Sequence, residues 1–86
     1  MPNPHVKGNL IGKRLKKARL EKGLGQVELS AALSVDCGIE IPQQSISEIE
    51  TDERTVRDKE LVALAEVLEV STNWLLFGDK VPKQDK

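Results

Sequence analysis

At 86 residues with a formal net charge of −1, the chain has room for one small domain and no second core. Its apolar content is almost wholly Leu, Ile, Val and Ala, with one Phe, one Trp and no Tyr. Leu and Ala favour helices and few runs alternate apolar with polar, so the predicted class is all-α. A single cysteine excludes an internal disulfide, and no signal peptide or long apolar run is present. Together these predict a soluble cytoplasmic protein with no membrane partner. No Cys, His, Asp and Glu cluster has metal-ligand spacing, and no phosphate-cradling loop or nucleophile–base pattern occurs. The expectation is therefore not an enzyme, with no metal, no cofactor and no small-molecule ligand.

The small net charge conceals an uneven distribution. Residues 1–23 hold Lys7, Lys13, Arg14, Lys16, Lys17, Arg19 and Lys22 against Glu21 alone, whereas residues 24–53 hold seven acids and no Lys or Arg. For nucleic-acid partners the distribution matters more than the sum.

In chain order, residues 1–8 carry two Pro and one Gly and read as a flexible arm that includes His5. A first helix is predicted from Asn9 to Lys22, with Asn9 as N-cap and Gly23 just past its end. Ile11, Leu15 and Ala18 recur at helical spacing toward the core. The remaining Lys and Arg serve either solubility or attraction to a phosphate backbone. Arg19 falls beside Ala18 at the core edge and reads as paired. A second helix starts after Gly25, with Gln26 in its first turn and Glu28 near the positive end of its dipole. Leu29, Ala32 and Leu33 face the core, Val27 is expected to be partly covered, and the helix ends at Cys37 before Gly38. Cys37 reads as a half-buried structural thiol. Ile39-Glu40-Ile41 is a short link with both Ile turned inward.

The third helix, about residues 43–50, follows Pro42, whose missing N–H suits a helix start. Ile46 and Ile49 share one face, which leaves Gln43, Gln44, Ser47 and Glu48 on or near the other. That polar face is either a solvated surface or a reader of base edges. The Gln amide donates and accepts at once, which matches the N6/N7 edge of adenine. Residues 51–57 form a polar loop. A fourth helix from Asp58 to Glu69 carries Leu61, Leu64, Ala65 and Leu68 as its apolar stripe. A fifth, Thr72 to Phe77, has Ser71 as N-cap, Gly78 as stop and unusual apolar weight in Trp74, Leu75 and Phe77. Residues 79–86 read as a flexible charged tail.

Three segments taken in order resemble the phage-repressor/Cro-type helix-turn-helix family, also called XRE. They are Gln26-Val27-Glu28-Leu29-Ser30, Gln43-Gln44-Ser45-Ile46-Ser47-Glu48-Ile49-Glu50, and Leu64-Ala65-Glu66-Val67-Leu68-Glu69-Val70-Ser71-Thr72-Asn73-Trp74-Leu75-Leu76. The resemblance spans about residues 9–78. It implies a lambda-repressor-like five-helix bundle in which the third helix enters the major groove of double-stranded DNA. It places base contacts on Gln43, Gln44, Ser45, Ser47 and Glu48, and backbone contacts on Gln26, with Lys13, Lys16, Arg54 and Arg57 as candidates. It implies a structural ion pair between Arg19 and Glu50. One such domain covers only a short half-site, so a homodimer on an inverted repeat is expected. The apolar residues Trp74, Leu76 and Phe77 of the fifth helix either form its interface or, for Trp74 above all, close the small core. The function implied is a sequence-specific transcriptional regulator, in the repressor sense.

The chain departs from the family pattern in three places. The turn from Asp36 to Pro42 is long and similar to a longer-linked subtype. Gly25 stands where a polar residue often contacts phosphate. Thr51-Asp52-Glu53 puts acids where Gly and a basic residue are common. This acidity motivates an alternative, a module of the same fold whose acidic third-helix surface binds a basic protein partner instead of DNA.

Overall fold

Among the described residues five helices make up the fold: α1 (Gly12–Glu21), α2 (Gln26–Cys37), α3 (Gln43–Glu50), α4 (Asp58–Leu68) and α5 (Thr72–Phe77). This is a computed structural model that describes residues 8–79. Residues 1–7 of the expected arm and 80–86 of the expected tail lie outside the described residues. Each helix buries one aliphatic stripe in a common core. Ile11 and Leu15, Leu29 and Leu33, Ile46 and Ile49, Leu64, and Leu75 are all sealed from solvent. Each contributes about 1.5–3 kcal/mol by leaving water. α2 packs against α3 and α4, and α1 lies against α3, α4 and α5.

Local chemistry sets the helix ends. Asn9 Oδ1 accepts from the N–H groups of Ile11 and Gly12, so regular helix starts at Gly12 rather than at Asn9 itself. At the start of α2 Gly25 offers no side chain, and Glu28 reaches back to accept the Gly25 N–H. α2 ends where Gly38 turns left-handed at φ 65°, a backbone state glycine reaches without a Cβ clash. Gly38 N–H then donates to the Ser34 carbonyl and Ile39 N–H to that of Leu33, which satisfies two open carbonyls.

The long link to α3 is fastened to α2. Ser30 Oγ donates to the Ile41 carbonyl at 2.7 Å, and Ser34 Oγ donates to Glu40 Oε2 at 2.7 Å. Ile41 is fully buried, whereas Ile39 is only half-covered. Val27 corrects its expectation: it is 59% exposed, because α2 turns Leu29 and Leu33 inward and leaves Val27 on the outer side. Cys37 is half-buried beside the Ala63 carbonyl. Burial and the nearby Glu66 and Asp36 carboxylates push its thiol pKa up, which disfavours the reactive thiolate.

The loop between α3 and α4 is braced by an ion pair between Arg54 and Glu60. Arg54 Nη1 and Nη2 donate to the two oxygens of Glu60 at 3.0 and 2.9 Å, and Glu60 also accepts the Arg57 N–H. The Arg54 hydrogen bond holds the Glu60 carboxyl below the usual range, against burial, which pushes it up. A carboxylate whose folded pKa is depressed stabilises the fold above its unfolded pKa. That contribution disappears as pH falls through the folded value. Urea denaturation across a pH series should therefore show stability falling below about pH 4.5, the unfolded range of Glu. Glu60→Gln should lower stability at pH 7 and flatten this acid limb. An acid limb as steep in the variant as in the parent would show that Glu60 does not drive it.

Candidate nucleic-acid interface

α3 presents a polar face on an apolar mount. Ile46 and Ile49 are sealed in the core, while Gln43 and Gln44 are exposed and Ser45, Ser47 and Glu48 are half-exposed. Pro42 enters the helix in extended conformation, at φ −63° and ψ 160°. No side chain caps the start of α3, next to the two exposed Gln side chains.

Three fastenings fix α3 on the body. The first is a close helix crossing. A Cβ on Gly12 would lie 2.5 Å from the Ile49 carbonyl oxygen and 3.0 Å from that of Glu50, so only glycine permits α1 to pass α3 at this distance. The second is a buried ion pair. Arg19 Nε donates to Glu50 Oε2 at 2.7 Å and Nη2 to Oε1 at 3.0 Å, with side chains only 7% and 4% exposed. Arg19 Nη1 also donates to the Leu24 carbonyl, and the Glu50 hydrogen bond raises the guanidinium pKa further. Gln26 Nε2 donates to Glu50 Oε1 at 3.1 Å, which joins the start of α2 to the same carboxylate.

The third fastening ties the chain start to the loop after α3. Asp52 Oδ1 accepts the N–H groups of Gly8 and Asn9 at 3.0 and 2.9 Å. Asn9 Nδ2 donates to the carbonyls of Ile49 and Arg54. Asp52 is held at φ 67°, a left-handed state that Asp tolerates better than most residues. Asp52 thus lies turned inward on backbone amides, a role that counting it as a surface acid misses. Its spacing from Asn9 gives no hint of the contact. Asn9 itself is legible as a cap, but its second set of bonds is not.

The candidate cations divide into two groups. Lys13, Lys16 and Arg57 are exposed, and Lys13 borders the cleft between Asn9 and Thr51 at the end of α3. Arg54 is committed differently: both its terminal nitrogens are occupied by Glu60, and Nη1 also donates to the Thr55 carbonyl. Its charge braces the loop.

α5 supplies the remaining candidates. Ser71 Oγ accepts the Trp74 N–H, and Leu75 is sealed in the core. Trp74 and Leu76 are half-buried against that core, while Phe77 is 37% exposed. Leu10, next to α1, is 49% exposed. Arg14, which reads from sequence only as one more surface cation, binds the end of α5: Nε donates to the Leu75 carbonyl at 2.8 Å and Nη2 to that of Leu76 at 2.7 Å. Among the described residues no group of three or more Cys, His, Asp or Glu side chains is placed to hold a metal ion, and no helix is long and apolar enough to cross a membrane.

A helix-turn-helix family model matches residues 15–75. Among solved structures, the fold is similar to the P22 c2 repressor protein in complex with synthetic operator 9T in the presence of Tl+. The two share 30% identity at a TM-score of 0.64, over 83% of this chain and 98% of the repressor chain.

Proposed function

The chain belongs to the phage-repressor/Cro type of the helix-turn-helix family, and from that premise we propose that it is a cytoplasmic, sequence-specific DNA-binding repressor. It acts as a homodimer on an inverted repeat, with α3 in the major groove of each half-site. The observation that carries this reading is the exposed Gln43–Gln44 face of a helix whose other face is locked by Ile46, Ile49 and Glu50. Base reading needs side chains held in register on a rigid element, and phosphate contacts supply that register.

Gln43 and Gln44 read base edges, with Ser45, Ser47 and Glu48 further along the same face. Adenine suits the Gln amide and cytosine N4 suits Glu48. Gln26 sits where α2 begins. An amide nitrogen carries two hydrogens. Glu50 takes one from Gln26, and the other serves a phosphate. Lys13, Lys16 and Arg57 supply the salt-dependent attraction. Arg54 acts indirectly, by holding the loop that carries Arg57. Trp74, Leu76 and Phe77 form the dimer face.

The alternative, an acidic face for a basic protein partner, rests on the seven acids between residues 24 and 53. Four of them carry hydrogen bonds within the fold: Glu28, Glu40, Glu50 and Asp52. Glu50 is neutralised by Arg19 and buried, and Asp52 is turned onto backbone amides, so neither is free for a basic partner, which favours the DNA reading.

The test is selection from a random duplex library at roughly 100 mM salt, enough to suppress purely electrostatic binding. An enriched inverted repeat with A-rich half-sites is expected. No enrichment, together with capture of a basic protein at α3, would overturn the reading.

A further inference from the structure

The last turn of α5 leaves carbonyls with no partner inside the helix, at the negative end of its dipole. Arg14 fills that place from α1. Its Nε donates to the Leu75 carbonyl at 2.8 Å, and its Nη2 donates to those of Leu76 at 2.7 Å and Leu10 at 3.1 Å. The partners on α5 lie 61 and 62 positions away in sequence. The geometry has been cleared for it: a Cβ on Gly78 would stand 3.2 Å from Arg14 Nη1 and 3.3 Å from its Cδ, and Gly78 is buried with φ 64°. A six-residue helix has little stability or direction of its own. The guanidinium fork therefore sets the angle at which α5 leaves the body.

α1 is also the element on which α3 is fixed, through Gly12 and through Arg19 to Glu50. One helix thus carries the base-reading element on one flank and the exposed Phe77 end of α5 on the other. We propose that Arg14 is a positioning residue that fixes the dimer-forming α5 relative to α3, and thereby selects the spacing between the two half-sites. This rests on the homodimer reading above.

The test measures binding of the parent, Arg14→Met and Arg14→Lys to a single half-site and to inverted repeats whose half-sites are moved apart or together by one and two base pairs. Lys keeps the charge but cannot hold two carbonyls in a planar fork. The parent is expected to prefer one spacing by about tenfold, near one helical turn between centres. Both variants should keep single half-site affinity within about twofold while the spacing preference shrinks to about threefold or less. A purely structural role would lower half-site and full-site binding together and leave the shape of the spacing profile intact. That result, or an unchanged profile, would overturn the proposal. If Arg14→Met does not fold, the profile of Arg14→Lys decides. A parent that binds the inverted repeat no better than two independent half-sites would instead overturn the homodimer reading itself.

Discussion

Arg19→Ala should lower the stability of the domain by about 3–5 kcal/mol, the usual cost of leaving one member of a buried ion pair without the other. Glu50 would then keep only Gln26 as a side-chain partner, with its carboxylate 4% exposed. A domain of this size has a total stability of about 5–15 kcal/mol, so the loss takes a large share of it. Urea denaturation measures it directly. The double variant Arg19→Met/Glu50→Leu should recover much of the loss, because two apolar side chains carry no charge to desolvate. The two variants separate energy from geometry. The double variant should fold yet hold α3 less firmly, since Gln26 would also lose its anchor. An Arg19→Ala protein as stable as the parent would show that the pair contributes no net stability.

Most of the scaffold can be read along the chain because its causes are local. Gly25 and Gly38 bracket α2, Pro42 opens α3, and Ser71 and Gly78 bound α5, each where the sequence reading expects it. The aliphatic spacing points to most of the buried residues, although Ala63 is buried outside the expected stripe of α4 and Ala32 and Leu61 are only half-covered. The Arg19–Glu50 geometry is different in kind. A lone Arg at the core edge indicates some partner, and only the family resemblance points to Glu50.

What stays illegible depends on contacts far apart in sequence. Asp52 looks like a repelling surface acid until the N–H groups of Gly8 and Asn9 are seen to converge on it. Arg14 is one of seven bases in a basic segment, and nothing nearby distinguishes it from Lys13. Arg54 has its partner only six positions away, but a loop of unknown path hides the pairing. Val27 shows the opposite error. An apolar residue in the first turn of α2 invites some cover, yet Val27 lies two positions from Leu29 and so on the opposite side of the helix, which needs only one face covered.

Gln43→Ala and Gln44→Ala should each weaken binding to the cognate operator by about 1–3 kcal/mol per half-site contact, roughly 5- to 150-fold. In a symmetric dimer each substitution removes the contact from both half-sites, so full-site losses should approach twice that free energy where the two sites act independently. Binding to unrelated duplex should change little, because Lys13, Lys16 and Arg57 are untouched and the slope of affinity against salt depends on phosphate contacts. Both Gln side chains are exposed and make no contact that the core needs, so thermal unfolding should hardly move. Gel-shift titrations on cognate and scrambled duplexes, each at two salt concentrations, distinguish the cases. Loss confined to the cognate site, with parallel salt slopes, assigns the two residues to base edges. Equal loss on every sequence would assign them to the backbone instead, with the slope still parallel because a neutral amide displaces no counterion. Sequence preference would then have to come from Ser47 and Glu48, or from the shape of the operator.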